Sequence, residues 1–365
     1  MTLGEDHEGQ GGEREPVEGP SIRSLLQQLR AVGGSDLHIG SGRVAKARIH
    51  GELEPLTEEP LSASQVQRML KDICPHGVFA DFVQRHDADL AWDSPETGRF
   101  RVNLFVDRGG PGAILRQIPE RILSLEELNM PKMIDEIAAY RSGLVLVTGP
   151  TGSGKSTTLA AIIDRINRSS ALHIITVEEP IEFVHPSRAS QITQREVGLH
   201  TRSFGAALKS AIREDPDVLL VGEMRDLATV SLALTAAETG LLVFGTLHTN
   251  SAPKAIDRII DMFPAGQQPQ ARSTLASTLR AVLAQVLMRK AGGDGRVAAL
   301  EILTRNVALV RLIREGDTHM LGGTFRRGNG DQTMDDSVLE AWRAGRVDTD
   351  EARATLRDKR LIPSE

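Results

Sequence analysis

One segment of this chain carries most of its functional information: Gly149-Pro150-Thr151-Gly152-Ser153-Gly154-Lys155-Ser156. It matches the pattern G-x-x-x-x-G-K-[ST], the phosphate-binding P-loop, whose glycines let the backbone turn its N–H groups toward a nucleotide β-phosphate. We expect Lys155 to reach the β- and γ-phosphates and Ser156 to offer its hydroxyl to Mg²⁺. The predicted nucleotide-binding residues are Gly149, Pro150, Thr151, Gly152, Ser153, Gly154, Lys155, Ser156 and Thr157.

The segments on either side of the P-loop support this interpretation. Residues 144–148 form a short apolar run typical of a buried strand, and residues 156–163 have the composition of a helix. A strand, a phosphate loop and a helix in this order form a nucleotide-binding unit. The alternative is a glycine-rich surface turn, which does not account for the flanking elements.

Length and composition are those of a globular protein with several domains. The chain has 365 residues, 40 % of them hydrophobic and 25 % charged, which favours two or three domains. No run approaches the roughly 18 apolar residues of a membrane-spanning helix, and a signal peptide is not expected. Cys74 is the single cysteine, which excludes an internal disulfide and a four-cysteine zinc site. We therefore expect a cytoplasmic protein.

Negative charge is concentrated at the start of the chain. The net charge is −6, and residues 1–20 contain six carboxylates against one arginine. This composition, without any aromatic residue, predicts a disordered acidic tail over residues 1–20. The rest of the chain is nearly neutral, whereas nucleic-acid-binding proteins usually carry a basic surplus. No nucleic-acid partner is expected.

Residues 21–117 have the pattern of a small α+β domain. A helix is predicted after the cap Ser21, and another over residues 63–73. Strands are predicted at residues 36–39, 45–49, 99–105 and 113–117. Residues 118–130 contain two X-Pro pairs and are interpreted as a linker.

From residue 131 onward, helical and strand-like segments alternate, which predicts a parallel sheet with helices on both faces. We assign residues 131–290 to this α/β core and residues 291–365 to a helical C-terminal region. Within these ranges, residues 271–290 and 306–357 are expected to be mostly helical. The predicted strands are residues 144–148, 173–177, 218–221 and 241–244.

Two predicted strands end in carboxylates. The apolar run 218–221 is followed by Glu223, which resembles a Walker B acid that orients Mg²⁺, in part through water. The run 174–177 is followed by Glu178, which is placed to polarise an attacking water as a general base. The alternatives are a solvent-facing charge for Glu223 and a capped turn before Pro180 for Glu178.

A third predicted strand ends near His248, within the segment Thr246-Leu247-His248-Thr249-Asn250. Because parallel strands bring their carboxyl ends to one sheet edge, this imidazole is expected to approach the γ-phosphate. The alternative is a purely structural histidine.

Taken in order, these four segments resemble the Walker A, aspartate, Walker B and histidine boxes of the type II/type IV secretion ATPase superfamily. Within it, the chain is most similar to the PilT-type pilus retraction ATPases of twitching motility. One departure is Glu179, because the family typically has Asp at that position. Further segments support the resemblance: residues 35–38, 99–103, 194–197, 213–217 and 312–315.

The resemblance implies a PAS-like α+β N-terminal domain, a RecA-like P-loop NTPase domain and a homohexameric ring. It implies that ATP is hydrolysed between the two domains, and that Arg101 and Arg116 approach the γ-phosphate. Each arginine is otherwise interpreted as part of a surface salt bridge. The implied partner is the inner-membrane platform protein of the pilus machine, which would bring the chain peripherally to the inner face of the cytoplasmic membrane.

Other functions remain open at this stage. Pilus and type II secretion assembly ATPases share the four boxes but are usually longer and carry a four-cysteine zinc element, which Cys74 alone cannot form. A RecA- or helicase-type nucleic-acid motor would have a similar site, but only 3 % of the residues are aromatic, and base stacking needs aromatic side chains. A regulatory switch that binds nucleotide without appreciable hydrolysis is the remaining alternative.

Overall fold

The computed structural model describes residues 19–49, 51–75, 77–118, 121–293, 295–323 and 331–362. The predicted acidic tail, except for Gly19 and Pro20, lies outside these residues. The chain divides into two compact units, with the boundary after Ile118. Among the described residues, every helix is too short or too polar to cross a membrane.

Over its described residues, the first unit is a six-stranded antiparallel sheet with three helices. The sheet order is β3-β2-β1-β6-β5-β4. Its strands are β1 Asp36–Gly40, β2 Lys46–Ile49, β3 Glu52–Pro55, β4 Asp87–Ser94, β5 Gly98–Asp107 and β6 Gly110–Ile118. The helices are α1 Ile22–Ala31, α2 Ala63–Ile73 and α3 Val78–Arg85.

Local sequence signals explain the two longer helices of this unit. Ser21 caps α1 by accepting the Ser24 N–H, and the apolar stripe of α1 is buried. A reciprocal capping box between Ser62 and Gln65 starts α2. The predicted α+β domain therefore has a core between these helices and the sheet.

The second unit is a seven-stranded sheet with the order β13-β12-β7-β11-β10-β8-β9, in which only the β12–β13 pair is antiparallel. Its strands are β7 Gly143–Thr148, β8 His173–Glu178, β9 Gln191–Glu196, β10 Val218–Val221, β11 Leu242–Leu247, β12 Leu279–Arg289 and β13 Arg296–Thr304. Its helices are α4 Met133–Ala138, α5 Lys155–Ser169, α6 Phe204–Ala211, α7 Leu227–Glu238, α8 Ala252–Asp261, α9 Gln268–Thr278, α10 Val307–Glu315, α11 Met334–Arg343 and α12 Thr349–Thr355.

Two apolar layers cover the faces of this sheet. Successive residues of β7 point to opposite sides, so Leu144 and Leu146 belong to the layer beneath α6–α10, and Val145 and Val147 to the layer beneath α4 and α5. Burial on both sides explains why the central strands are continuous apolar runs.

The prediction of helix over residues 271–290 is wrong beyond Thr278, because Leu279–Arg289 forms β12. Its buried run, from Ala281 to Ala284, is apolar on both faces, and periodicity cannot separate such a strand from a buried helix. The region after residue 290 is also not purely helical, because Arg296–Thr304 pairs with β12 as β13.

The segment interpreted as a linker is packed over its described part. Leu125 is buried in the core of the second unit, together with Ile134 and Ile137 of α4. Ser124 caps the following turn through the Glu127 N–H and carboxylate. Residues 121–130 therefore belong to the second unit.

Candidate nucleotide site

Four parallel strands bring the predicted chemical groups to one edge of the sheet. β7, β11, β10 and β8 are neighbours in that order, and all four run in the same direction. The P-loop follows β7, Glu178 is the last residue of β8, and Glu223 and His248 follow β10 and β11. The carboxyl ends of parallel strands are the usual ligand-binding edge of such a sheet.

The P-loop backbone needs its glycines. Gly149, Gly152 and Gly154 have φ values of 153°, 78° and 83°, which side-chain-bearing residues rarely adopt. A Cβ on Gly149 would lie 2.3 Å from the carbonyl oxygen of Gln285. Gly154 caps α5 at its N-terminus, where free N–H groups and the helix dipole favour a phosphate.

Lys155 lies folded over the loop. Its Nζ donates to the carbonyl oxygens of Gly149 and Pro150 at 2.8 and 3.0 Å. Burial lowers the pKa of Lys155, while the negative charges of Glu223 and Glu182 raise it in opposition. The net pKa of Lys155 is below its ordinary value, because the two carboxylates offset the effect of burial only in part.

Gln285, which sequence reasoning missed, supports the P-loop from β12. Its side chain is buried, its Nε2 donates to the Ser153 carbonyl at 2.7 Å, and its Oε1 accepts from the Thr158 hydroxyl at 2.8 Å. One amide group thus fixes both the loop and the first turns of α5. The sequence offers only a weak signal for it, a single polar residue within an apolar run.

Glu223 pairs with two basic side chains. Its Oε1 lies 3.0 Å from Nε2 of His248, and its Oε2 accepts from Nη2 of Arg225 at 2.6 Å. Burial raises the pKa of Glu223, but hydrogen bonds and charge from Arg225 and His248 lower it more, so the net pKa is below its ordinary value. Arg225 also lies 3.7 Å from Glu179.

Glu178 is held by neutral donors. Its Oε1 accepts from the Thr176 hydroxyl at 2.6 Å and from Nε2 of Gln194 at 3.3 Å. Burial raises the pKa of Glu178, and the hydrogen bonds from Thr176, Gln194 and the Glu182 N–H offset this only in part. A carboxylate with a raised pKa and no cationic partner among these contacts is suited to accept a proton.

The strand ends approach each other closely at Gly222. Its N–H donates to the Val177 carbonyl at 2.7 Å, and a Cβ on Gly222 would lie 3.1 Å from Cα of Glu178. The Thr246 hydroxyl donates to the Gly222 carbonyl from the other side. A glycine therefore precedes Glu223 because three strand ends converge there.

The two predicted arginines lie together in the first unit. Arg101 on β5 and Arg116 on β6 are directly paired across the antiparallel ladder. Nε of Arg116 donates at 2.7 Å to the buried carboxylate of Asp36, which also accepts from the Ser35 hydroxyl. Arg116 is thus oriented by a buried acid, and the role of both arginines at the nucleotide remains a prediction.

The oxygen donors present fit Mg²⁺. Ser156, the last residue of the P-loop motif, lies in the first turn of α5, and Glu223 follows β10 at the same edge of the sheet. Within the described ranges there is no group of three or more His, Cys, Asp or Glu side chains arranged to hold a metal by themselves. Mg²⁺ bound by nucleotide phosphates, water and one or two protein oxygens is a common arrangement in such sites.

Comparison with known proteins identifies the family. The family model for the type II/IV secretion system protein matches residues 94–319. A twitching motility protein of Neisseria gonorrhoeae is 49 % identical, with 90 % of each chain covered. The type IV pilus retraction ATPase PilT of Pseudomonas aeruginosa PAO1 is 45 % identical, with 94 % of this chain and 98 % of that protein covered.

A solved structure agrees with these relatives. The crystal structure of the pilus retraction motor PilT with bound ADP superposes with a TM-score of 0.87 at 39 % identity, covering 94 % of this chain and 99 % of that one. The α/β fold class, with a smaller N-terminal domain before the P-loop domain, is thereby confirmed, and so is the resemblance drawn from the four boxes. The chain belongs to the type II/IV secretion system protein family.

Proposed function

We propose that this chain is a motor ATPase that hydrolyses ATP to drive retraction of type IV pili. The observation that carries the proposal is the convergence of the P-loop, Glu178 and the Glu223–His248 pair at one sheet edge. Relatives named for pilus retraction and twitching motility match nearly the whole chain, which supports retraction as the work performed.

In this proposal, the P-loop residues and Lys155 bind the β- and γ-phosphates, with Thr157 completing the first turn of α5. Ser156 and Glu223 would hold Mg²⁺, Glu223 in part through water, and the ion would supply positive charge beside the phosphates. Glu178 takes a proton from the attacking water while the oxygen of that water forms a bond to the γ-phosphorus. The bond from that phosphorus to the β–γ bridging oxygen breaks, and ADP and phosphate leave.

His248 and the two arginines complete the proposed site. His248 is proposed to contact the γ-phosphate and to report its loss, and its contact with Glu223 supports this role. Arg101 and Arg116 are proposed to stabilise charge on the transferring phosphoryl group, a role worth about 10³–10⁵ in rate for arginine fingers in general. We also propose a homohexamer that acts through the platform protein at the inner face of the cytoplasmic membrane, without a nucleic-acid partner.

Complementation tests the proposed function. The gene is expressed in a Pseudomonas aeruginosa strain that lacks its own retraction ATPase, alongside the Lys155→Ala variant, and twitching zones and surface pili are measured. Restored twitching with fewer surface pili supports retraction. Restoration of pili in a strain that lacks the assembly ATPase would instead indicate an assembly motor, and turnover stimulated by DNA or RNA would indicate a nucleic-acid motor.

A further inference from the structure

A polar connection joins the C-terminal segment to the loop that carries His248. Glu301 on β13 is 1 % exposed. Its Oε1 accepts from the N–H of Ala252, the first residue of α8, at 2.7 Å, and its Oε2 accepts from Nη1 of Arg357. The second arm of Arg357, Nη2, donates to the carbonyl oxygen of Asn250 at 3.1 Å.

These contacts fix the loop after His248 at both ends. At its start, the Thr249 N–H donates to the Thr148 hydroxyl at 2.9 Å, which holds the loop to β7 beside the P-loop. At its end, Ser251 precedes α8 without capping it through its side chain. Glu301 satisfies the first N–H of that helix instead, and Arg357 satisfies the Asn250 carbonyl.

The segment that carries Arg357 is itself anchored. Its backbone N–H donates to Oδ1 of Asp335 at 2.7 Å, and the Asp358 N–H donates to Oδ2 of the same carboxylate at 3.2 Å. Asp335 lies in the first turn of α11. Arg357 follows α12, so the last two helices are connected to the histidine loop through one guanidinium group.

The contact between Glu301 and Arg357 is one of opposite charges. A carboxylate buried as deeply as Glu301 is strongly destabilising without a charged partner. Arg357 is that partner, and its planar fork binds a carboxylate with one arm and a carbonyl with the other, which a lysine cannot do with the same geometry. A displacement of the α11–α12 region that moves the half-exposed Arg357 side chain therefore also moves the Asn250 carbonyl or breaks the contact with the buried Glu301 carboxylate.

We propose that Arg357 is a positioning residue: together with Glu301 it sets the position of the His248 loop, and it couples the C-terminal helices to ATP turnover. The proposal rests on the proposed function, since it uses the role of His248 beside Glu223. It assigns to Arg357 no contact with the nucleotide, so it predicts a loss of turnover without a matching loss of nucleotide affinity.

The test compares Arg357→Ala and Arg357→Lys with Arg360→Ala, which removes an exposed arginine paired with Asp358 in the same segment. The readouts are kcat and KM for ATP, the dissociation constant of a fluorescent ADP analogue, and hydrogen–deuterium exchange of the peptide spanning residues 248–252. For Arg357→Ala we expect kcat to fall about tenfold or more, with KM and ADP affinity within about twofold and faster exchange in the loop. Arg357→Lys recovers part of kcat, and Arg360→Ala behaves as wild type.

A double variant separates positioning from stability. Glu301→Gln with Arg357→Met removes both charges, so it restores thermal stability relative to Arg357→Ala, but it leaves the Asn250 carbonyl without its donor. We expect kcat to stay low in this double variant. Recovery of kcat together with stability, or unchanged exchange at residues 248–252 in Arg357→Ala, would overturn the proposal. Faster exchange at residues 248–252 in Arg357→Ala, together with a wild type that does not hydrolyse ATP, would keep Arg357 as a positioning residue and refute the motor function.

Discussion

Glu223 and His248 contact each other across neighbouring strands, with Oε1 of the carboxylate 3.0 Å from Nε2 of the imidazole. Arg225 occupies the second carboxylate oxygen at 2.6 Å. Glu223, the acid of the Walker B box, therefore contacts the histidine box directly, while its charge raises the pKa of Lys155 in the P-loop. This arrangement makes Glu223 the residue through which three of the four sequence boxes interact.

Replacing Glu223 should therefore reduce kcat more than replacing Glu179, an exposed carboxylate that also lies near Arg225. Glu223→Gln removes the charge that contacts His248 and Arg225, and we expect kcat to fall about 10- to 100-fold. Glu179→Gln is the matched control, since Glu179 lies 3.7 Å from Arg225 and is exposed. Steady-state phosphate release measures both variants. Equal losses in the two variants would contradict the assignment of Glu223.

The support that Gln285 gives to the P-loop can be tested by removing its amide. Gln285→Leu keeps most of the side-chain volume but leaves the Ser153 carbonyl and the Thr158 hydroxyl without these hydrogen bonds. We expect about 1–3 kcal/mol of lost stability and weaker ATP binding, seen as a higher KM. Gln191→Leu, on the exposed start of β9, serves as the control. An unchanged KM in Gln285→Leu would show that the loop holds its shape without β12.

Two glycines of the P-loop should differ in their tolerance of alanine. Gly149→Ala places a Cβ 2.3 Å from the backbone oxygen of Gln285, whereas a Cβ on Gly152 meets nothing within 4 Å. Both positions have positive φ, so both variants carry backbone strain of about 1 kcal/mol or more, but only Gly149→Ala adds a backbone collision. Thermal unfolding and nucleotide titration should show the larger loss for Gly149→Ala, and the reverse order would contradict this account.

The hydrogen bond from the Thr176 hydroxyl to Glu178 should affect how kcat/KM depends on pH. It lowers the pKa of Glu178 against the raising effect of burial, so Thr176→Val should raise that pKa further. The acid limb of the kcat/KM profile should then move to higher pH. Because burial raises the folded-state pKa of Glu178, the wild type should lose stability as pH rises from the ordinary carboxyl pKa to the raised one, and Glu178→Gln should gain stability relative to wild type over that interval, with no further gain above it. An acid limb that does not move in Thr176→Val would count against Glu178 as the base.

The site residues of the second unit that could be predicted from the sequence all lie at the carboxyl ends of parallel strands. The strand at Val218–Val221 has the predicted bounds, because it is an uninterrupted apolar run, and Asp226 caps the helix that follows it. Once the strands are parallel, their ends must meet at one edge, so the acids and His248 could be placed from sequence. Local signals and a single topological rule were sufficient for these groups.

The remaining contacts depend on pairings between distant parts of the chain. Gln285 reaches Ser153 across 132 positions, and Arg357 reaches Asn250 across 107. Neither contact follows from periodicity, because each requires knowing which strand lies beside β7 and where the C-terminal segment ends. The mistaken helix at β12 had the same cause: its buried apolar residues carry no period, and its identity comes from pairing with β7.

The most direct test of the central claim is the steady-state ATPase rate of Glu178→Gln, measured beside wild type and Lys155→Ala with ADP-analogue binding on the same samples. We expect turnover in wild type, none in Lys155→Ala, and a loss of about 10²–10⁴ in the rate of Glu178→Gln with nucleotide binding retained. Normal hydrolysis by Glu178→Gln would contradict the assignment of the general base, and the absence of Lys155-dependent turnover in wild type would contradict the motor itself.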